Sequence, residues 1–158
     1  MVNKEKVLKY ALLFLIASTL LFIFIQSMLP PETSSAESEA VGGVIEEIIP
    51  PDTKPGAFIQ TNLRKIAHFT EFFFLGIELA LYIAFFMKRG IFVLLSYPFS
   101  MLIAFFDESI QVLSGRGPSI TDAWIDFFGF FVSASIVYAI FFTAKYLIMR
   151  KKTRNVTE

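Results

Sequence analysis

The chain has 158 residues, of which 55% are hydrophobic and 20 are Phe, and its mean hydropathy is +0.63. This composition exceeds what a soluble domain of this size can bury, so it predicts a small membrane protein. The 14 basic and 14 acidic residues cancel in formal charge, and the absence of Cys excludes disulfides, thiolate catalysis and Cys-ligated zinc.

Hydropathy predicts four membrane-spanning helices, each close to the ~20 residues that cross a ~30 Å hydrocarbon core. They cover approximately Tyr10–Met28, Ile66–Met87, Ile91–Leu113 and Asp122–Met149. An even number of spans places both termini on one side, and ten of the 14 basic residues then fall on that side. The positive-inside rule therefore predicts an all-α bundle of four transmembrane helices with both termini cytoplasmic. No basic face remains for nucleic acid.

The segments outside the three later spans can also be assigned. Residues 1–29 form a tail and a first span; a cleaved signal peptide is the alternative, but the apolar stretch exceeds the usual ~7–15 residues. Residues 30–63 are expected to form an extracytoplasmic Pro/Glu-rich loop, whose Pro-Pro pairs prevent a long helix. Within it, Val44–Ile49 could form one or two amphipathic turns on the membrane surface, but a solvated tether is the favoured interpretation. A membrane core, 64–149, and a basic cytoplasmic tail, 150–158, follow.

The second predicted span carries three ionisable residues on one face, His68, Glu71 and Glu78. At ~100° per residue, Glu71 and Glu78 are only ~20° apart around the helix axis. Counting outward from Met87, His68 lies near the outer membrane boundary and Glu78 near the midplane. Because ionisable groups facing lipid are costly, this face is predicted to point into the bundle.

The third and fourth predicted spans bring more polar residues to the same depth. Asp107 ends an apolar run too short to cross a bilayer alone, so its carboxyl group is expected inside the membrane. Glu108 and Gln111 follow on the same span, and the fourth span carries Asp122, Asp126, Gly129 and Ser133 at helical periodicity. Its two small residues, Gly129 and Ser133, are expected to permit close helix packing.

Three basic residues, Arg64, Lys65 and Arg116, break the positive-inside pattern and need a local reason. One reason is that Lys65 and Arg116 neutralise nearby carboxylates and make the bundle cheaper to insert. The other is that they hold an anion. Three helices supplying charges to one depth favour a functional site over simple neutralisation.

Together these residues resemble the VanZ-like family of small membrane proteins, named for an accessory protein associated with teicoplanin resistance. The matching motifs, in chain order, are Lys65-Ile66-Ala67-His68-Phe69 with Leu75-Gly76, Asp107-Glu108-x-x-Gln111, and Arg116, Ser119, Asp122 and Gly129. The chain departs from the family pattern at Phe72, where an aromatic hydroxyl is frequent, and at Asp126, where Asn is common. The resemblance implies a cell-envelope context, a multi-pass protein of the cell membrane and an influence on glycopeptide susceptibility, but no established reaction.

The favoured hypothesis is an anion-binding site at the outer leaflet, entered laterally, for the phosphate or carboxylate of a lipid-linked or glycopeptide ligand. Arg offers a planar bidentate fork and Lys a point charge. The predicted ligand-binding residues are Lys65, Gln111, Arg116, Asp122 and Asp126. The bilayer is the expected partner, and the oligomeric state is left open.

The alternative hypothesis is a membrane-embedded enzyme, in which His68 is the general acid or base. Its predicted catalytic residues are His68, Glu71, Asp107 and Glu108. The carboxylates would orient the imidazole or hold a divalent cation, and oxygen ligands favour Mg²⁺, Ca²⁺ or Mn²⁺ over zinc. No H-E-x-x-H motif, nucleophile motif or Gly-rich phosphate loop supports this hypothesis. A third hypothesis, proton-coupled transport, depends mainly on Glu78.

Overall fold

The computed structural model describes residues 3–87, 89–117 and 119–157, and these residues form five helices without a strand. The helices are α1 (Lys4–Met28), α2 (Pro31–Glu46), α3 (Lys54–Phe86), α4 (Ile91–Leu113) and α5 (Ile120–Thr157). Helices α1, α3, α4 and α5 are long and apolar enough to cross a membrane. The all-α, four-span prediction is confirmed. Lys88, part of the predicted basic cluster, lies outside the described residues.

The predicted bounds of α4 match the structure, whereas α1, α3 and α5 are longer than predicted. Helix α3 begins at Lys54 rather than Ile66, and its 33 residues measure ~50 Å at ~1.5 Å per residue. This length exceeds the ~30 Å hydrocarbon core, so part of α3 projects beyond it. Hydropathy detects only the apolar middle of such a helix, and for that reason the polar ends were missed.

The prediction that prolines prevent a long helix in residues 30–63 is wrong. Pro31 occupies the first turn of α2, where a missing N–H costs no intrahelical hydrogen bond, and the helix continues for 16 residues to Glu46. The segment Val44–Ile49, for which a solvated tether was favoured over turns on the membrane surface, comprises the end of α2 and the turn after it. The prolines at 50–51 mark the turn between α2 and α3 rather than an extended loop.

Helix α2 packs on the projecting part of α3. The Gln60 side chain donates a hydrogen bond from Nε2 to the carbonyl oxygen of Gly42 at 3.1 Å. The start of α3 is fixed by Thr53, whose hydroxyl oxygen accepts a hydrogen bond from the Gly56 N–H at 3.2 Å. Helix α2 therefore covers α3 at the end of the bundle where α1 stops.

Helices α3 and α5 form the most extensive helix pair, and glycines make their close approach possible. A Cβ atom added at Gly129 would lie only 2.4 Å from the carbonyl oxygen of Phe69. One added at Gly76 would lie 2.8 Å from the carbonyl oxygen of Phe130. Ser133 is buried in the same interface. The predicted close packing at Gly129 and Ser133 is confirmed.

The two ends of the bundle differ in chemistry. We call the end where α1 and α4 stop and α5 begins the polar end, because it contains the buried side chains of Ser27, His68, Asp107, Gln111 and Asp126. The opposite end, where α1 begins and the chain passes from α3 to α4, carries Lys4, Lys6, Lys9 and Arg89. Between them lies an apolar core that includes Phe72, Leu75, Ala104, Phe130 and Ala134.

Candidate functional site

Gln111 is fully buried near the end of α4, and both atoms of its side-chain amide are hydrogen-bonded. Nε2 donates to Asp107 Oδ2 at 2.8 Å and to Glu108 Oε1 at 3.0 Å. Oε1 accepts a hydrogen bond from Arg64 Nη2 at 2.5 Å. The spacings of three and four residues place these side chains together on one face of α4. Gln111 thus holds two carboxylates and one guanidinium in fixed positions.

Asp107 is fully buried and is held at both carboxylate oxygens. The Ser27 hydroxyl, at the end of α1, donates to Oδ1, and Gln111 donates to Oδ2. Asp107 Oδ2 also lies 3.8 Å from Nδ1 of His68 on α3. This carboxylate therefore joins α1, α3 and α4 at the polar end.

Asp126 completes a group of three side chains that we call the His–Asp cluster: His68, Asp107 and Asp126. Asp126 is 0% exposed, and its Oδ1 lies 3.3 Å from His68 Nδ1, within the range of an ion pair. The contact does not have the direction of a hydrogen bond, so among the described residues both Asp126 oxygens and His68 Nδ1 lack hydrogen-bond partners. Buried polar atoms without such partners are costly.

Glu108 does not belong to the His–Asp cluster; it accepts a hydrogen bond at the start of α5. Its Oε2 accepts a hydrogen bond from the Ser119 N–H at 2.7 Å, while the Ser119 hydroxyl accepts one from the Asp122 N–H at 3.1 Å. Both bonds satisfy N–H groups that a helix start leaves unpaired, and the carboxylate suits the positive end of the helix dipole. Asp122 is half-buried in this first turn and lies outside the His–Asp cluster.

The Arg116 side chain is buried against the end of α1. Its Nη2 donates to the carbonyl oxygens of Gln26 at 2.5 Å, Leu29 at 2.8 Å and Ser27 at 3.3 Å, and its Nε donates to Leu29 at 3.2 Å. Nη1 lies 3.4 Å from the Ser34 hydroxyl. The last turn of α1 contains no basic residue of its own. Arg116 therefore supplies the positive charge that stabilises the unpaired carbonyl groups at the end of α1.

Arg64 and Arg116 lie close enough to influence each other. Burial lowers the pKa of Arg116 below its usual value, and the neighbouring Arg64 guanidinium lowers it further. The Arg116 side chain nevertheless stays charged, because a guanidinium does not lose its proton in proteins. Within the described ranges, neither arginine forms an ion pair with a carboxylate.

A cavity of about 420 Å³ opens at the polar end between α1, α2 and α3. Its apolar wall includes Phe22, Val41, Ile45, Leu63 and Ile66. Its polar wall includes Arg64, His68, Glu71 and Arg116. Helix α2 contributes residues at helical spacing, so one face of α2 closes the cavity. The cavity thus joins an apolar surface to two cations, to the carboxyl groups of Glu37 and Glu71, and to the edge of the His–Asp cluster.

The structure brings most of the predicted site residues to one end of the bundle. A continuous set of contacts connects His68, Asp107, Glu108, Gln111 and Asp126. Glu71 lines the cavity and interacts electrostatically with His68, whereas Asp122 and Arg116 serve the start of α5 and the end of α1. Lys65 is exposed and does not line this cavity.

Two residues at this site were not predicted, Arg64 and Ser27. Arg64 was identified as a cation on this side but was not assigned to the site, which its bond to Gln111 now includes. Ser27 follows Gln26 as a polar pair at the end of an apolar span, and that pair was the available signal. Ser114, by contrast, belongs to the turn after α4, where its hydroxyl donates to the carbonyl oxygens of Ser27 and Gln111.

Four apolar helices around a buried charged cluster define a small multi-pass membrane protein. The family model described as VanZ/LLP1 matches residues 10–143, and the chain therefore belongs to this VanZ family. The resemblance first seen between Lys65 and Ser133 is confirmed, and the matched range also includes most of α1 and all of α2. No curated protein and no solved structure matches the chain.

Proposed function

We propose that the cavity at the polar end binds an anionic amphiphile, a lipid or lipid-linked molecule that carries a phosphate or carboxylate. One observation carries this proposal: two arginines that form no ion pair with a carboxylate among the described residues line a largely apolar cavity. An anion between them would offset their mutual repulsion, while an acyl or polyprenyl chain would lie on the apolar wall. The cavity volume of about 420 Å³ falls within the range of small-molecule sites.

The two arginines have different roles in this proposal. Arg64 is held at Nη2 by Gln111, and its other donors can meet the anion in charge-assisted hydrogen bonds. Arg116 uses most of its donors on α1 carbonyls, so it contributes positive charge rather than a complete bidentate fork. Arg64 therefore takes the position that the sequence hypothesis gave to Lys65.

We also propose that the polar end faces the outer leaflet of the cytoplasmic membrane. The sequence assigns ten of the 14 basic residues to the side of the membrane opposite the polar end, and basic residues favour the cytoplasmic side. The ligand would then enter sideways from the outer leaflet. A lipid-linked envelope precursor is the ligand class that connects this site to glycopeptide and teicoplanin susceptibility, the phenotype that the family resemblance implies.

Two adjacent basic residues provide a matched test. Native mass spectrometry of the full chain in zwitterionic detergent should show tighter binding of dioleoyl phosphatidate than of dioleoyl phosphatidylcholine. Arg64→Gln should weaken phosphatidate binding by about 10-fold to 100-fold, because it removes a charge-assisted contact of about 1.5–3 kcal/mol. Lys65→Gln makes the same change of charge at an exposed position and should alter binding by less than about 2-fold. Equal effects of the two substitutions would refute the proposed site.

The enzyme remains a second candidate, because His68 and Glu71 line the same cavity as Arg64. A ligand bound at Arg64 would therefore lie near both side chains. The enzyme hypothesis predicts that the chain releases phosphate or a headgroup from a lipid substrate. Glu71→Gln should abolish this release, whereas Glu32→Gln should retain it. Absence of turnover across a panel of phospholipids and polyprenyl phosphates would oppose it.

Transport has less support. Its main residue, Glu78, accepts a hydrogen bond at Oε1 from Thr19 of α1 at 3.1 Å. This contact gives the carboxyl group a structural role in joining α1 to α3. No observation on the described residues favours proton-coupled transport over that role.

A further inference from the structure

The His–Asp cluster has the donor atoms of a metal site. His68, Asp107 and Asp126 are all buried, and each offers a ligand atom within 4.8 Å of the others. Three of the available atoms, His68 Nδ1 and both Asp126 oxygens, lack hydrogen-bond partners among the described residues. A carboxylate that is 0% exposed and accepts no described hydrogen bond needs a positive partner, which a protonated His68 or a bound cation can supply.

The distances suit a single ion without movement of the backbone. Donor atoms at about 2.1 Å from a metal are separated by about 3.0 Å at a right angle and about 4.2 Å when opposite. His68 Nδ1 lies 3.3 Å from Asp126 Oδ1 and 3.8 Å from Asp107 Oδ2, both inside that range. All three donor atoms lie within 4.8 Å of one another, so an ion bridging them would need only small side-chain adjustments and no change in the backbone.

Neighbouring side chains support the same interpretation. Ser27 donates to Asp107 Oδ1 and Gln111 donates to Oδ2, so the carboxylate is oriented from behind. Such supporting hydrogen bonds are typical of metal ligands. The nearby arginines do not replace the ion, because neither forms an ion pair with Asp107 or Asp126 within the described residues.

We infer that His68, Asp107 and Asp126 bind a divalent transition-metal ion at the polar end of the bundle. One imidazole nitrogen and two carboxylate oxygens suit Mn²⁺ or Zn²⁺, whereas Mg²⁺ and Ca²⁺ prefer oxygen ligands alone. Three protein ligands leave coordination positions for water or another ligand. Two carboxylates and a neutral imidazole carry two negative charges, which a divalent ion neutralises.

The position of the ion also connects it to the cavity. His68 belongs both to the cluster and to the cavity wall, so the ion would lie beside the space that also contains Arg64. A phosphate held by Arg64 could then complete the coordination, with the metal as a Lewis acid. This last step rests on the proposed lipid site, whereas binding of the metal alone does not.

Binding of Mn²⁺ to the full chain in detergent, after EDTA treatment and without added lipid, tests the site. Electron paramagnetic resonance of free Mn²⁺ should show one tight site per chain. Asp126→Asn should weaken Mn²⁺ binding by about 100-fold or more. Substituting a residue that only hydrogen-bonds to a metal ligand already weakens metal binding by about 10-fold to 100-fold. Asp52→Asn, the same change at an exposed carboxylate, should leave Mn²⁺ binding unchanged.

Thermal unfolding separates a metal site from a purely structural ion pair. Mn²⁺ should raise the Tm of the parent protein through preferential binding to the folded state, but not that of Asp126→Asn. Asp126→Asn should still fold, because it removes a buried charge; His68→Gln is a second variant if it does not. An equal Mn²⁺ affinity or an equal Tm shift in parent and variants would overturn the inference. Failure of the lipid proposal alone would leave Mn²⁺ binding intact.

Discussion

At the scale of single residues, the two arginines of the polar end have different roles. Arg116 is buried, and most of its N–H groups donate hydrogen bonds to carbonyl oxygens at the end of α1, which stabilises that end of the helix. Arg64 is exposed, lines the cavity and makes one described side-chain hydrogen bond, to Gln111, so its other guanidinium donors are available to a ligand. Substitutions at Arg116 should therefore affect folding as well as binding, and Arg64 is the better probe of the ligand.

Adjacent residues also mark a limit of prediction from the sequence. Depth in the membrane predicts that His68, Asp107, Gln111 and Asp126 share one level, because depth follows from counting residues along a helix. It does not choose between Arg64 and Lys65, which differ by one position and therefore by ~100° around α3. That choice depends on how α3 packs against α4, where Gln111 accepts the bond from Arg64.

At the scale of elements, the packing of α3 against α5 positions two members of the His–Asp cluster. His68 lies on α3 and Asp126 on α5, and Gly129 lies one turn after Asp126. The backbone of Phe69 approaches Gly129 so closely that no larger residue fits without displacement. The distance between the imidazole and the carboxylate therefore depends on a glycine that has no chemical role of its own.

Gly129→Ala should separate α3 from α5 and destabilise the bundle by about 1–3 kcal/mol, the usual cost of overpacking. The added Cβ would lie 2.4 Å from the carbonyl oxygen of Phe69, which as backbone cannot easily move away. Gly90→Ala is the matched control, since a Cβ there meets no described atom within 4 Å. Thermal or SDS unfolding measures both variants, and equal stability of the two would contradict the packing described for α3 and α5.

Helix α2 shows why this element was harder to predict than the spans. Proline at the first helical positions starts a helix, whereas proline inside one breaks it, and the residue type alone does not distinguish these positions. The face of α2 that includes Ser34, Val41 and Ile45 lines the cavity, but its low hydrophobicity gives little periodic signal. The evidence for α2 lies in its contacts with α3, such as the hydrogen bond from Gln60 to Gly42, which the sequence pattern does not show.

At the scale of the whole molecule, the number of spans followed from hydropathy because lipid imposes a minimum apolar length on every span. The contribution of α1 to the site did not follow. Helix α1 is mostly apolar, and the polar pair at its end, Gln26-Ser27, did not indicate that Ser27 would contact Asp107 or that the carbonyls of α1 would accept hydrogen bonds from Arg116. These contacts join residues 80 or more positions apart and depend on tertiary packing.

Membrane orientation is a prediction for the whole molecule, and the absence of Cys makes it simple to test. Ala40→Cys, on α2, should react with a membrane-impermeant maleimide in intact cells. Lys152→Cys, near the end of α5, should react only after the cells are permeabilised. Both positions are exposed, so a difference reports sidedness rather than burial. The reverse labelling pattern would place the polar end in the cytoplasm and contradict the proposed orientation.

The most direct test of the central proposal is to find where an anionic lipid contacts the chain. A phosphatidate with a photoreactive diazirine in its acyl chain should label cavity residues Phe22, Val41 and Ile45, as read by mass spectrometry of peptides. Excess unlabelled phosphatidate should compete, phosphatidylcholine should not, and Arg64→Gln should reduce the labelling by about 10-fold. Labelling confined to the exposed α4 residues Leu94 and Leu102, and unaffected by Arg64→Gln, would contradict the lipid-binding account.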